Sequence, residues 1–143
     1  MKNALLIILI SFWKILILFP IKFQYVLATV IGSLINSLPL KRNKISKVNI
    51  ELCFQDLNKH DRNNIHKENT IEFAKAIFYT GIAWFWSNER IKKNIPYKIN
   101  GLQDILRNQD AGNGILLLFK HSLHLELDSR ILAMHADIYG IER

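Results

Sequence analysis

A histidine and a glutamate five residues apart are the side chains in this sequence best suited to acid–base chemistry. His121 and Glu126 form the pattern H-x-x-x-x-E. A neutral imidazole can take a proton from a hydroxyl group, and a nearby carboxylate can fix its tautomer and stabilise the imidazolium that forms. The pair therefore predicts general-base catalysis. The spacing also occurs by chance in many chains, so the motif alone leaves a structural role equally open.

The residues around His121 predict a strand followed by a helix. Residues 115–119 are an unbroken apolar run after a glycine-rich turn, and a helical apolar spacing begins after His121. Ligands of open α/β sheets bind beyond the carboxyl ends of the strands. We therefore expect His121 at the end of a buried strand and Glu126 in the first turn of the next helix. Their side chains should lie about 3 Å apart, or one water apart.

Three neighbours of this pair are candidates for supporting roles. Ser122 is expected to cap the helix, because serine is a preferred capping residue and this one lacks the Gly-x-Ser-x-Gly setting of a nucleophile. Arg130 stands four residues after Glu126 and is expected to pair with it along the helix. Lys120 should face solvent or bind a phosphate of the substrate.

Metal and cofactor sites are not predicted. His124 and His135 could join His121 at a metal ion, but none of them has ligand spacing with a second carboxylate or a cysteine. The single cysteine, Cys53, excludes an internal disulfide and is expected to be a small buried side chain. The glycine-rich turn at residues 112–114 is read as structural rather than as a phosphate site.

The first 40 residues have the composition of a membrane anchor. They contain no Asp or Glu, and Lys14 is the only charged residue in the hydrophobic run over residues 4–19. As a helix this run spans about 24 Å, against about 30 Å of hydrocarbon. An amphipathic helix to residue 38 and then a basic cluster follow, which places the rest of the chain in the cytoplasm. We predict a retained anchor and amphipathic helix over residues 1–40 and the N-terminal half of a catalytic domain over residues 41–143.

The remainder of the chain is predicted to alternate helices with short strands. Residues 43–54 and a long segment from Lys59 to Trp86 read as helices. The second has a capping pair at Asn58 and Asp61 and an apolar face at Ile71, Ala74, Phe78, Ile82 and Phe85. A brief helix is expected over residues 101–108, and strands over residues 97–100 and 137–141. The formal net charge of +7 suits an anionic membrane or an acidic partner. No basic stripe with interleaved aromatic residues indicates nucleic acid.

Five segments, taken in order, resemble the lipid A late acyltransferases, and the lauroyl transferase branch in particular. The resemblance covers the whole chain given, but only about the first half of a family member. The segments are Lys47-Val48-Asn49-Ile50-Glu51-Leu52-Cys53-Phe54, Gly81-Ile82-Ala83-Trp84-Phe85-Trp86, Gly101-Leu102, Gly114-Ile115-Leu116-Leu117 leading to His121, and Leu125-Glu126-Leu127 with Arg130.

The resemblance implies an α/β fold, with the N-terminal helices followed by the first strands of a glycerolipid-acyltransferase-like sheet. It implies transfer of a fatty acyl chain, lauroyl in the branch that it resembles, from acyl carrier protein to a hydroxyl of the Kdo-bearing lipid A precursor, at the cytoplasmic face of the inner membrane. His121 matches the family's catalytic histidine and Glu126 its catalytic acid. Lys120, Arg130 and Arg143 are the candidate substrate-binding residues, and no cofactor is implied.

Two departures from the family's pattern lie outside the pair. Glu142 replaces the tyrosine of a Tyr-Arg-Pro element at Arg143, and Gln55 stands where a proline usually follows Cys-Phe. The family's later strands and motifs would follow Arg143, so we expect a gene fragment, a truncated product, or a chain whose remainder is encoded separately. The alternative is a catalytically inactive, membrane-associated remnant or interaction module.

Overall fold

The structure is a computed structural model that describes residues 2–139, with the side chains of residues 4–139. Within that range the chain forms seven helices and no strand. The helices are α1 (Lys2–Leu18), α2 (Ile21–Ser37), α3 (Lys41–Cys53), α4 (Lys59–Phe85), α5 (Asn88–Asn94), α6 (Leu102–Asp110) and α7 (Leu125–Ala133). The predicted α/β fold is therefore wrong for the described part of the chain, which is all-helical.

The predicted central strand shows why. Residues 115–119 have no regular secondary structure, and no backbone hydrogen bond joins them to another described segment. Leu116 is 82% exposed and Leu118 is 90% exposed. A strand is stable only when a neighbouring backbone satisfies its N–H and C=O groups, and an apolar run cannot supply that partner itself. Composition identified a segment suited to burial, but the described residues provide nothing to bury it.

The two other predicted strands are also absent. Residues 95–99 follow α5 without regular structure, as do residues 137–139 after α7. Residues 140–143, which include the rest of the last predicted strand, lie outside the described residues.

Helix α4 is the central element, and α1, α2, α3 and α7 all pack against it. It begins as predicted, because the Asn58 side chain accepts from the backbone N–H of Asp61 at 3.0 Å and donates to its carboxylate at 2.7 Å. The predicted apolar face of α4 is buried at Ala74, Phe78 and Ile82. Residues three and four apart share one side of a helix, so this face forms a continuous core.

Helix α2 packs on α4 through small side chains. Gln24, Ala28 and Gly32 recur every four residues and are buried. A Cβ atom added at Gly32 would lie 2.5 Å from the Cα atom of Ile71, so the two helices approach too closely for any larger residue. The apolar face predicted from the sequence is largely turned outward instead, with Val30, Leu34 and Leu38 exposed.

The C-terminal end of α1 is held by side-chain donors from α2, from α5 and from Trp86, which directly follows α4. The last carbonyl groups of a helix have no partner within it. Here they accept hydrogen bonds from Trp86 Nε1 to Ile17 (2.8 Å), from Arg90 Nη2 to Leu18 (2.8 Å) and from Gln24 Nε2 to Phe19 (2.8 Å). Pro20 follows and leads into α2. The end of α1 is therefore fixed to α2 and to the start of α5.

The first part of α1 is exposed on all sides. Each residue from Leu5 to Ile10 is between 38% and 63% exposed, although all six are apolar. A helix that is apolar all round is normally buried in a core or in a membrane. None of the described helices is by itself long and apolar enough to cross a bilayer, whereas α2 and α3 together, joined at an angle of 86°, meet that criterion.

Candidate active site

His121 lies in the irregular segment that precedes α7. Its side chain is exposed, and no hydrogen bond involves its ring among the described residues. Helix α7 begins only at Leu125, with His124 as the residue before it and no side chain capping the end. Ser122 is thus not the cap that the sequence predicts, although its carbonyl oxygen accepts the N–H of Leu125 at 3.3 Å.

Glu126 occupies the first turn of α7, as predicted, and its side chain is exposed. Its Oε2 atom accepts a hydrogen bond from the indole Nε1 of Trp84 on α4, at 3.4 Å. In the described part of the chain, no hydrogen bond or ion pair joins Glu126 to His121. The pair is therefore near one end of α7 without direct contact, and the catalytic roles of the two residues stay a prediction.

Arg130 does not pair with Glu126 as the sequence suggests. Its Nη2 atom donates to Asn88 Oδ1 at 2.7 Å, which ties α7 to α5. An exposed ion pair along one helix contributes little, so a partly buried amide oxygen can compete with it. Sequence analysis missed α5, although Ser87 was its signal, since the serine Oγ accepts the N–H of Arg90 as an N-cap.

His124 and His135, the two histidines that could have joined His121 at a metal ion, have aromatic partners instead. The ring of His124 stacks on Tyr79 with centroids 4.4 Å apart, and His135 Nε2 lies 2.9 Å from the Tyr97 hydroxyl. Neither joins His121, and within residues 4–139 no group of three or more His, Cys, Asp and Glu could hold a metal ion. A small cavity of about 260 Å³ lies beside His124, between α2, α4 and α7.

The tyrosine under His124 is held in its neutral form. Burial, followed by the neighbouring Tyr25 hydroxyl, raises the pKa of Tyr79 above its ordinary range. A neutral phenol can donate or accept a hydrogen bond, but it cannot act as a base near neutral pH.

The remaining predicted residues lie apart from α7 or outside the described range. Lys120 is exposed beside His121, in agreement with the expectation that it faces solvent, and Arg143 is outside the described residues. Cys53 is exposed at the end of α3, so its predicted burial is wrong. The buried face of α3 instead carries Asn43 and Ile50, two turns apart.

One buried titratable group was missed by the sequence analysis. His66 is almost fully enclosed between α3 and α4, and the Ser46 hydroxyl lies 3.1 Å from its Nδ1 atom. Burial, and then the charge of Lys47, lower the pKa of His66 below its ordinary value of 6.5. The surrounding sequence is polar, so no apolar pattern marked the position. His66 is a structural residue of the α3–α4 contact.

Comparison with known proteins gives the chain a family. The family described as "Bacterial lipid A biosynthesis acyltransferase" matches residues 1–141, a range that includes His121, Glu126 and Arg130. No solved structure matches the chain significantly.

Three curated bacterial proteins are similar to it. A "Lipid A biosynthesis acyltransferase" of Haemophilus influenzae is 42% identical over 103 residues, which is 72% of this chain and 32% of that protein. A "Lipid A biosynthesis palmitoleoyltransferase" of Escherichia coli is 31% identical over 76% of this chain and 35% of its own length. A "Lipid A biosynthesis lauroyltransferase" of Escherichia coli is 32% identical over 87% and 40%. The matches span about a third to two fifths of these relatives.

Proposed function

The chain belongs to the bacterial lipid A biosynthesis acyltransferase family, and on that premise we propose that its protein transfers a fatty acyl chain from acyl carrier protein to a hydroxyl of the Kdo-bearing lipid A precursor. The two Escherichia coli relatives are named for palmitoleoyl and lauroyl transfer. We propose lauroyl as the chain here, from the resemblance of the sequence segments to that branch. The observation that carries the proposal is the family match over a segment in which the His121 side chain is exposed and Glu126, also exposed, follows five residues on.

In the proposed mechanism His121 is the general base. Its neutral imidazole takes the proton of the acceptor hydroxyl, and the oxygen attacks the thioester carbonyl carbon of the donor. The tetrahedral intermediate then expels the carrier thiolate, which takes the proton back from the imidazolium. Glu126 orients the imidazole and stabilises its charged form. No covalent acyl-enzyme is needed, so the mechanism requires no serine or cysteine nucleophile.

Two features around the pair support access by a large substrate. The His121 side chain is exposed and has no protein partner among the described residues, so a substrate hydroxyl can approach the ring. Lys120 is exposed next to it, and we propose that it contacts an anionic group of the lipid A precursor. Arg130 is held by Asn88, which favours a positioning role at α7 for this arginine over direct substrate contact.

The location we propose is the bacterial inner membrane, with residues 41–143 on the cytoplasmic side. The all-round apolar exposure of the first part of α1 supports insertion into lipid. The basic residues at the start of α3, Lys41, Arg42, Lys44 and Lys47, are exposed and suit contact with anionic lipid on the cytoplasmic side. The chain should resist carbonate extraction from membranes. Its C-terminal part should be protected from protease in intact spheroplasts, and cleavage there would contradict this orientation.

The catalytic proposal is tested by joining residues 1–143 to the remaining part of a family member and assaying acyl transfer from acyl carrier protein. His121→Ala should lower turnover by about 10²- to 10⁴-fold, the usual contribution of a general base. Glu126→Gln should also lower turnover severely, because an amide cannot stabilise imidazolium as a carboxylate does. His60→Ala, at an exposed position on α4, is the matched control. Full activity of the His121→Ala variant would overturn the assignment of His121 as the general base. Absence of acyl transfer in the unaltered joined protein would favour the non-catalytic alternative.

A further inference from the structure

We propose that Trp84 is a positioning residue for Glu126, and that Trp13 of α1 holds the Trp84 ring in the orientation this requires. The inference rests on the proposed role of Glu126 for its catalytic meaning. The contact itself is open to test without any assay of activity.

The first observation is that Trp84 and Trp86 lie in contrasting environments. Trp86 is a core residue, 4% exposed, and its indole is bonded to the Ile17 carbonyl. Trp84 is 61% exposed, which is unusual for so large an apolar ring and leaves most of it without a packing role. The one polar group of Trp84 points at Glu126 Oε2. Its position is therefore explained by the carboxylate rather than by the core.

The second observation is the way in which the Trp84 ring is held. Trp13 meets it edge to face, with centroids 5.7 Å apart, and contacts the ring of Phe85 in the same manner at 5.4 Å. Such pairs stabilise a fixed ring geometry beyond simple burial. An exposed indole would otherwise have free rotamers, so the edge-to-face contact with α1 restricts the direction of its N–H group.

Helix α1 packs closely against α4 beside Trp84. A Cβ atom added at Gly81, one turn before Trp84 on α4, would lie 2.5 Å from Ile17 Cδ1 and 3.1 Å from Trp13 Cε2. A larger residue at position 81 would force the Ile17 side chain to move. Trp13 of α1 contacts Trp84, and Trp84 in turn contacts the Glu126 carboxylate on α7. The position of α1 on α4 therefore sets the direction of the Trp84 N–H group.

The chemistry of the contact suits a supporting role. An indole N–H is a donor only, and it favours the ionised carboxylate as its acceptor. With Oε2 engaged, Oε1 remains free to accept from an imidazole. The 3.4 Å distance is long for a hydrogen bond. Bonds of catalytic groups often tighten only when substrate is bound, so this length is compatible with the role.

The contact is tested by labelling the indole nitrogens of the 143-residue chain with ¹⁵N in detergent micelles and recording their N–H signals against pH. The Trp84 signal, assigned with Trp84→Phe, should shift as the Glu126 carboxylate titrates and should stop shifting in Glu126→Gln. The Trp86 signal should not follow this titration and serves as the internal control. Trp13→Ala and Gly81→Ala should each reduce the Trp84 shift. A Trp84 signal that is insensitive to pH, or equally sensitive in Glu126→Gln, would overturn the inference.

The role in catalysis is tested in the joined enzyme described above. Trp84→Phe keeps an aromatic ring but removes the donor. It should lower kcat by about 10- to 100-fold, the loss expected of a hydrogen bond to a charged group, with KM little changed. It should also raise the apparent pKa of the acid limb of the kcat profile. A lowered stability with an unmoved acid limb would show a merely structural role. A fully active His121→Ala would refute the general-base role of His121 while leaving the NMR result to decide the contact.

Discussion

The indole nitrogen of Trp86 donates a 2.8 Å hydrogen bond to the carbonyl oxygen of Ile17, 69 positions earlier in the chain. Arg90 stacks on the same indole, its guanidinium carbon 4.1 Å from the ring centroid, and donates to Leu18. The Trp86 indole, the Arg90 guanidinium and the carbonyl groups of Ile17 and Leu18 thus form one cluster at the end of α1. It joins an apolar helix to the start of α5, and its strength can be measured.

Removing the guanidinium from this cluster should destabilise the fold. Arg90→Met keeps an aliphatic stem but loses the donor to Leu18, so the free energy of unfolding should fall by about 1–3 kcal/mol. Arg107→Met is the control, because Arg107 forms only an exposed pair with Asp104 and should contribute about 0–1 kcal/mol. Thermal unfolding in detergent micelles, followed by circular dichroism, compares the two. Equal losses would show that the cluster adds nothing.

Adding a single methyl group at Gly32 should destabilise the contact between α2 and α4. Gly32→Ala places a Cβ atom 2.5 Å from the Ile71 backbone, so the helices must separate. We expect a loss of about 1–3 kcal/mol, even though alanine favours helix formation over glycine by about 1 kcal/mol. Gly114→Ala, where a Cβ would meet nothing within 4 Å, should be nearly neutral. A Gly32 variant as stable as the wild type would mean that the close approach is wrong.

Acidification should weaken the α3–α4 contact through His66. Burial lowers the pKa of His66 in the folded state, so the unfolded chain binds the proton more readily. Its contribution to stability is therefore complete above its ordinary pKa of 6.5 and is lost as the pH falls below that value. The free energy of unfolding should drop less between pH 7 and pH 5 in His66→Gln than in the wild type. His60→Gln, at an exposed site, should retain the wild-type slope.

The exposed apolar segment before His121 should promote self-association of the isolated chain. Leu116→Lys with Leu118→Lys removes the two most exposed leucines of that segment and should shift the chain toward smaller species in light scattering. Asn100→Lys with Gln103→Lys adds the same charge at exposed polar positions and controls for repulsion. If both pairs of substitutions act equally, charge and not apolar exposure explains the effect.

The structural features that could be predicted from the sequence are those that local residue patterns determine. The apolar run of α1, the apolar face of α4 and its Asn58 cap all depend on residues within a few turns of one another, and each was found. The strand at residues 115–119 depends on a distant backbone partner, which no local pattern reports. The same limit explains the wrong fold class, since a sheet is defined by pairing rather than by composition.

The site shows this division more sharply. The position of Glu126 in the first turn of α7 followed from helical spacing, whereas its contact with Trp84 joins residues 42 positions apart. The Asn88 partner of Arg130 is equally distant. Arg130 and Glu126 satisfied the i to i+4 rule, but that rule says only which side chains can meet along one helix. It gives no information on a competing partner from another helix, such as Asn88 of α5.

The central position of α4 has a consequence for how the structure comes apart. Helices α1, α2, α3 and α7 have α4 as their principal shared partner, so each peripheral helix can open while α4 stays folded. The amides at Ala74, Phe78 and Ile82 should then exchange with solvent only when the whole domain unfolds. Those of α7, which carries Glu126 on a helix of nine residues, should exchange through local opening. The helix with the candidate catalytic carboxylate would thus sample detached states while the scaffold that orients it remains intact.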